Sequence, residues 1–336
     1  MVTLLSSTKK YWSHVSKDVF ACVRHFFQYS HMLQELNHTL ITLVPMKTSS
    51  HSVHHFRPIS LCNISYKIIS KILANRLKNV LPKIISPLQS AFVPVRNIQD
   101  NSILVHELIH TFKNKRGRKG FMFLKMDMEK AFDQMEWQFL LAIMKKLGFN
   151  DTWIGWIEAR ISSSSFSILI NGSPFGMISP ARGLRQGDPF SPFLFILGSE
   201  VFSILMFKEA SLGFLKGLKI FRNNSAIHHL LFTIDLLIFG QVTLIEVGSI
   251  SSYLAKYCSW PGQSINIHKS STSFNKNTNS AISASILLTL PYNPKPSTYI
   301  HLGLPIFLGI SKRVAFQSIL DQVRKSIDGW RAKTLS

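Results

Sequence analysis

Four carboxylates, Asp127, Glu129, Asp133 and Glu136, fall within ten residues of a chain that holds only 17 acids in 336 residues. A further acid, Asp235, lies between two apolar runs, His229-Leu-Leu-Phe232 and Leu236-Leu-Ile-Phe239. Carboxylates at a strand end and at a hairpin turn can present oxygens to hard divalent cations, which take a few carboxylates plus substrate phosphates. Two such ions a few ångströms apart can stabilise both the attacking and the leaving oxygen in phosphoryl transfer. The plainer alternative is that either Asp only closes its own turn.

The elements that must position these acids are legible in part. Phe121-Met-Phe-Leu-Lys-Met126 predicts a short strand ending at Asp127, and from Glu129 a helix runs to Leu147, where Gly148 stops it. Residues 227–239 predict two short strands about a tight turn at Thr233-Ile234-Asp235. Upstream, a helix precedes the strand Thr39–Val44, closed by Pro45, and residues 64–80 form an amphipathic basic helix before Pro82 and Pro87 break the chain. Downstream come a helix at Trp153–Ile161, a strand at Phe166–Ile170, a turn at Asn171-Gly172, a loop from Pro180 to Pro189 and an apolar helix from Pro192 to Glu209. A helix at 245–260, a loop at 261–280, a short strand near Tyr299–Leu302 and a last helix from Lys312 complete the chain. This order indicates α+β, with a sheet covered on one face by helices.

The charge balance sets these acids apart. Lys and Arg number 38, giving a formal net charge of +21; residues 1–99 hold twelve cations and two acids, and no acid lies between Val247 and Leu320. A globular chain this basic most often meets a polyanion, nucleic acid before membrane; a solvated basic surface is the alternative. The densest run, Lys113-Asn-Lys-Arg-Gly-Arg-Lys119, reads as an exposed loop that either binds phosphate or stays solvated. Hydrophobic residues at 46% exclude global disorder. Cys22, Cys62 and Cys258 are too few and too scattered for a disulfide framework or a CxxC metal site, and His51, His54 and His55 lack further ligands at metal spacing, so they read as a polar loop. Met1–Trp12 has no apolar core of a signal peptide, and the longest apolar stretch, Phe193–Phe207, is interrupted and short of a bilayer span. The expectation is a nuclear or cytoplasmic protein, not secreted and without a membrane partner.

Seven stretches then occur in order: Phe56-Arg-Pro-Ile-Ser-Leu61, Gln89-Ser-Ala-Phe92, Asp127-Met-Glu-Lys-Ala-Phe-Asp133 and Arg182-Gly-Leu-Arg-Gln-Gly-Asp-Pro189, followed by His229-Leu-Leu-Phe-Thr-Ile-Asp235, Gly262-Gln-Ser-Ile-Asn-Ile-His-Lys-Ser270 and Leu302-Gly-Leu-Pro305. The series resembles the reverse transcriptase domain of plant non-LTR (LINE-type) retrotransposons, from about Tyr11 to the end of the chain. The resemblance implies a right-hand polymerase with a palm sheet covered by helices. Residues 1–115 would form an N-terminal extension and fingers, 116–275 the palm with some finger elements, and 276–336 the palm end and the start of a thumb. It implies an RNA template, a DNA primer and deoxynucleoside triphosphates as partners, and two Mg²⁺ or Mn²⁺ ions as cofactors. Asp127 resembles the first metal-binding aspartate. Phe132 matches the gate that crowds the sugar 2′ position, or serves as a core aromatic. Gln186 and Gly187 match the loop that positions the incoming nucleotide. Arg57 resembles the cation that meets the triphosphate, or is structural beside Pro58. Lys269 matches a lysine that protonates departing pyrophosphate, or is a surface lysine.

This sequence departs from the family's pattern at two places. Where relatives carry Phe-Ala-Asp-Asp, this chain has Phe232-Thr-Ile-Asp235, so Ile234 occupies the second principal ligand position and Asp235 matches the adjacent, less critical acid. Neighbouring residues at a hairpin turn point in different directions, so Asp235 is not expected to compensate. Val95 stands where relatives carry Gly, and a positive φ there would strain it. The resemblance sets the family's endonuclease region ahead of residue 1. The expectation is a degenerate, catalytically impaired copy; the alternatives are a non-catalytic nucleic-acid-binding module and a translated relic.

Overall fold

The structure, a computed structural model, describes residues 10–45, 52–221, 223–294, 300–306 and 312–334. The main strands are β1 (His38–Pro45), β2 (Phe56–Leu61), β3 (Phe121–Met126), β4 (Ser165–Ile170), β5 (Ser173–Ile178), β6 (His229–Phe232), β7 (Asp235–Gln241) and β8 (Ser271–Phe274). The longer helices are α1 (Trp12–Tyr29), α2 (Ile64–Lys78), α3 (Ile98–Asn114), α4 (Trp137–Lys146), α5 (Asp151–Ser162), α6 (Ser191–Ser211), α7 (Leu244–Ser259), α8 (Ser280–Thr289) and α9 (Lys312–Thr334). They divide into two compact units that alternate along the chain. The first takes Met1–Arg96, Met128–Lys208 and Ile250–Asn266; the second takes Asn97–Asp127, Glu209–Ser249 and Ile267–Ser336.

The first unit contains a sheet in the order β2-β1-β4-β5. β1 runs parallel to β4 and antiparallel to β2, while β4 and β5 form a hairpin. Its turn is Asn171-Gly172, with φ of 50° and 82°, the two-residue connection whose twist suits paired strands. α6 is largely apolar, and Phe193, Leu194, Phe195, Ile196, Leu197 and Phe202 are buried, whereas Ile204 and Phe207 nearer its end are exposed, so its first half is the enclosed part.

The second unit contains an antiparallel sheet in the order β8-β3-β7-β6. In β3 every residue but Lys125 is buried, so its unbroken apolar run is that of a strand covered on both faces.

Several boundaries differ from expectation. The helix expected from Glu129 is split: Met128–Glu129 pairs with Ser264–Ile265, Ala131–Gln134 makes one turn, and α4 begins at Trp137. The expected loop 261–280 contains β8, and Pro82 starts a helical turn, Leu81–Ile84, instead of breaking the chain. β2, α3, β5 and α8 lie where the sequence pattern places no element. His51 and Tyr299 lie outside the described residues. All three cysteines are free.

Val95 has φ 70° and is 96% exposed. A β-branched side chain in the left-handed region costs roughly 1–3 kcal/mol, and here no packing offsets that. Val95→Gly is expected to raise stability by about 1 kcal/mol after the extra freedom of an unfolded glycine is subtracted, seen as a higher urea midpoint.

Beside this loop, Arg96 donates to the carbonyls of Ile85, Ser86 and Gln89, and Glu200 of α6 is 5% exposed. Burial pushes the Glu200 carboxyl up to about 7, against the lowering pull of the Ser86 N–H and Arg96. A carboxyl raised on folding binds its proton more tightly in the folded chain. Its contribution is therefore complete at low pH and is lost as pH climbs from the unfolded value through about 7. Glu200→Gln mimics the protonated form, so its advantage over wild type should grow by about 2 kcal/mol between about pH 5 and pH 8 in denaturant titrations.

Candidate functional site

The sheet of the second unit brings Asp127 and Asp235 together. β3 and β7 pair antiparallel, with Lys125 opposite Leu237 and Met126 opposite Leu236; one step further, the same register sets Asp127 level with Asp235. The Asp127 N–H donates to Ser270 Oγ at 3.1 Å, which ties the end of β3 to the start of β8. Lys125, two residues before Asp127, projects from the same sheet face. Burial raises the Asp235 carboxyl above its ordinary value; Lys125 pulls it down and the charge of Asp127 pushes it up. Asp235 therefore feels the charge of Asp127. Lys269 is exposed in the same unit, next to Ser270.

The hairpin closes with Phe232 opposite Asp235, leaving Thr233 and Ile234 as a two-residue loop. Thr233 has φ 57°, a conformation that glycine adopts without strain and a β-branched residue does not. Ile234 is half-buried and offers no lone pair. Among the described residues, no group of three or more His, Cys, Asp or Glu is placed to hold a metal ion. Two carboxylates with Lys125 beside them and an apolar Ile234 at the turn do not fit a pair of divalent cations.

The other sequence-predicted residues gather in the first unit. Arg57 is exposed on β2. Three residues on, the Ser60 N–H donates to the Gln186 carbonyl at 2.9 Å. The Gln186 side chain donates from Nε2 to Asp133 Oδ1 at 3.2 Å. Burial raises the Asp133 carboxyl, with Gln186 and Lys130 acting against it. The loop's other side is fixed to the segment after β3: Gly183 N–H donates to Met135 O at 2.8 Å and Leu184 N–H to Phe132 O at 2.7 Å. Gly183, at φ 94°, is obligatory there, because a Cβ would lie 2.7 Å from Asp133 O. At Gly187, φ is 98° and a Cβ would meet Ser60 O at 3.2 Å; in this structure the close approach glycine permits is to β2. Phe132 stacks on Phe195, with ring centroids 4.8 Å apart and planes at 17°. Between the loop and the sheet lies a cavity of about 160 Å³, lined by Ser60, Asp133, Arg182, Gln186 and Asp188 among others.

Beneath the loop is a cluster that the sequence did not reveal. Arg160 Nη2 lies 2.8 Å from Asp188 Oδ2, with side chains only 1% and 3% exposed. The same nitrogen donates to Tyr66 Oη and Ser70 Oγ, both at 2.8 Å. Burial opposes charge on Asp188, but Arg160 and hydrogen bonds from Ser70 and the Phe190 N–H hold its carboxyl below the ordinary range. These residues lie on three separate elements, and nothing in their spacing signals the pair.

Residues 46–306 match the family described as "Reverse transcriptase (RNA-dependent DNA polymerase)". Among named proteins, the chain is 32% identical over 199 residues to the Transposon TX1 uncharacterized 149 kDa protein of Xenopus laevis, covering 59% of this chain and 15% of that one. It is 28% identical over 155 residues to the retrovirus-related Pol polyprotein from the type-1 retrotransposable element R2 of Popillia japonica, covering 46% and 21%. An uncharacterized mitochondrial protein of Arabidopsis thaliana is 51% identical over 67 residues, covering 20% and 55%. The chain thus spans about a fifth or less of the first two of these relatives. Among solved structures, an apo telomerase from Candida tropicalis, truncated from its C-terminal domain, superposes with a TM-score of 0.52 over 77% of this chain and 55% of that one, at 13% identity. That likeness speaks to the fold, and it agrees with a right-hand polymerase architecture. With the match extending over most of its length, the chain belongs to the reverse transcriptase family.

Proposed function

We propose that the chain is the reverse transcriptase domain of a plant-type non-LTR element in which nucleotidyl transfer is impaired. The observation that carries this reading is the donor count at the sheet end: Asp127 and Asp235 face one another, and Ile234 supplies no third carboxylate. Catalysis in this family depends on divalent metal; Mg²⁺ or Mn²⁺, two ions in the family, would supply charge to the attacking and leaving oxygens. The chain's own residues divide the remaining work. Arg57 meets the triphosphate, Phe132 crowds the sugar 2′ position, Gln186 and Gly187 hold the incoming nucleotide, and Lys269 meets departing pyrophosphate. RNA template, DNA primer and deoxynucleoside triphosphates are the partners, in the nucleus or cytoplasm. The names fingers for 1–115, palm for 116–275 and palm end with the start of a thumb for 276–336 belong to the same proposal.

Primer extension by the purified chain on an RNA template with a DNA primer, in Mg²⁺ or Mn²⁺, tests it. Extension close to background is expected, together with template–primer binding that weakens steeply as salt rises. Robust extension that disappears in Asp127→Asn would overturn the impairment while keeping the polymerase assignment. Binding insensitive to salt would overturn the nucleic-acid reading.

A further inference from the structure

The second unit carries a concentrated basic surface at the opposite end of β3 from Asp127. Lys115, Arg116, Arg118 and Lys119 lie in the loop that leads into β3, and the last three are exposed. The loop is strapped at its base: Asn277 Nδ2 donates to Lys115 O at 2.8 Å and reaches Lys119 O at 3.5 Å. Gly120 allows this close approach, since a Cβ there would lie 2.6 Å from Thr278 Oγ1. Lys276, beside the strap, is exposed. A third segment joins them, because Lys115 Nζ donates to the Lys219 carbonyl at 3.3 Å. Exposed Lys216 and Lys219 flank that contact, and the segment also presents Phe214 and Phe221 at 48% and 68% exposure. The segment is anchored from beneath by Glu246, which is buried and accepts the Lys216 and Gly217 N–H groups at 3.0 and 3.3 Å. Three loops therefore converge with seven cations and two exposed aromatic rings, and none of the stretches 113–119, 214–221 and 276–277 contains an acid.

β3 itself separates this surface from the acid pair. At about 3.3 Å per residue, its length sets the two roughly 20 Å apart, too far for one phosphate group to touch both. A solvated charge run has no need of a side-chain strap across its base or of neighbouring apolar rings facing water. Cations that track a phosphate backbone, interleaved with rings on which bases stack, are the means by which single strands are held without sequence preference. We propose that this surface is a second nucleic-acid site, which takes an unpaired strand through its phosphates and stacks bases on Phe221 and Phe214. It builds on the reading that the chain handles nucleic acid, but it is independent of polymerase chemistry.

The test is anisotropy titration of the full chain with a fluorescein-labelled 30-nucleotide oligouridine, a 30-base-pair duplex, and vesicles containing phosphatidylserine. The variants are Arg116→Gln/Arg118→Gln/Lys119→Gln/Lys219→Gln, Phe221→Ala and Arg57→Gln, each checked for an unchanged thermal midpoint. The fourfold variant should bind oligouridine about tenfold more weakly, with the slope of log affinity on log salt reduced by about 3, at roughly 0.7 per single-strand phosphate contact. Phe221→Ala should weaken oligouridine by about tenfold and leave the duplex unchanged, since stacking requires an open base face. Unchanged affinity and slope in the fourfold variant, with weakening in Arg57→Gln, would overturn the second site and leave the template–primer reading standing. Absence of oligouridine binding by wild type would overturn both. Vesicle binding that the fourfold variant abolishes while oligouridine binding persists would assign the surface to a membrane and overturn the proposal.

Discussion

Ile234→Asp is expected to raise primer extension by on the order of 10²–10³, the scale lost when one preorganised electrostatic group is removed from a catalytic site. The substitution adds an oxygen donor at the tip of the β6–β7 hairpin, next to an Asp235 that already feels Asp127. Without metal, a third carboxylate is unfavourable: it adds negative charge beside Asp127 and Asp235, and like charges at close range repel. The variant should therefore have a lower thermal midpoint than wild type in chelator and recover it as Mn²⁺ is added, whereas the wild-type midpoint should barely respond. A gain in both extension and Mn²⁺-dependent stability would identify position 234 as the missing donor. Wild-type extension unaffected by the substitution, or an Ile234→Asp protein more stable than wild type in chelator, would sink the metal-site explanation. Ile234 also explains how the fold tolerates the loss. An apolar side chain at a half-buried turn between apolar strands has no charge to desolvate.

The parts of this fold that were legible in the sequence are those where one physical signal acted alone. β3 is an apolar run interrupted only by Lys125, and Asp127 follows it directly, so both strand and acid could be read. The β6–β7 hairpin followed from two apolar runs around a tight turn at Thr233-Ile234-Asp235. In β8 the polar Ser271, Thr272 and Ser273 carry the signature of a loop, yet all three are buried; there the tertiary setting outweighs composition. β5 was hidden by Pro174 and Gly176, which an exposed edge strand tolerates. α3 carried a usable signal, since Val105, Leu108, Ile109 and Phe112 recur at helical spacing and are buried, but the intervening His and Glu residues diluted it. α8 had one too, in the Asn279 side chain that accepts the Ala281 N–H. Within the candidate site, residue types pointed to Asp127 and Asp235, and the family resemblance alone pointed to the Gln186 loop. The coupling of Asp235 to Asp127 depends on strand register, and the Arg160–Asp188 pair on three elements meeting, neither of which a one-dimensional pattern encodes.

Asp188→Asn should cost about 3–5 kcal/mol of stability, the range for breaking one half of a buried ion pair. The pair is enclosed, and the guanidinium of Arg160 also packs over the rings of Tyr66 and Phe190, 4.9 and 5.0 Å from their centroids. Removing the carboxylate leaves a cation that can neither reach water nor shed its proton, while Tyr66 Oη and Ser191 Oγ lose a charged acceptor. Arg160→Met exposes the opposite imbalance, and the two singles separate by pH. In wild type the folded Asp188 carboxyl lies below its ordinary value, so the pair contributes fully at neutral pH and loses its contribution as pH falls through that depressed value. Without Arg160, the largest influence lowering the Asp188 carboxyl is gone and only Arg185 and the hydrogen bonds from Ser70 and the Phe190 N–H still oppose burial, so Arg160→Met should be least stable near neutral pH and recover part of its loss in mild acid. Asp188→Asn has no carboxyl there to titrate and should show no such recovery. The double substitution Arg160→Met/Asp188→Leu leaves no buried charge from the pair and should lose clearly less than the sum of the singles. Additive losses in urea titrations at neutral and mildly acidic pH would show that the two side chains act separately. Asp188 directly follows Gln186 and Gly187, so the same cycle measures how firmly the loop is pinned against β2: if the pair is what holds it, Asp188→Asn should speed amide exchange at Ser60, whose N–H is bonded to the Gln186 carbonyl.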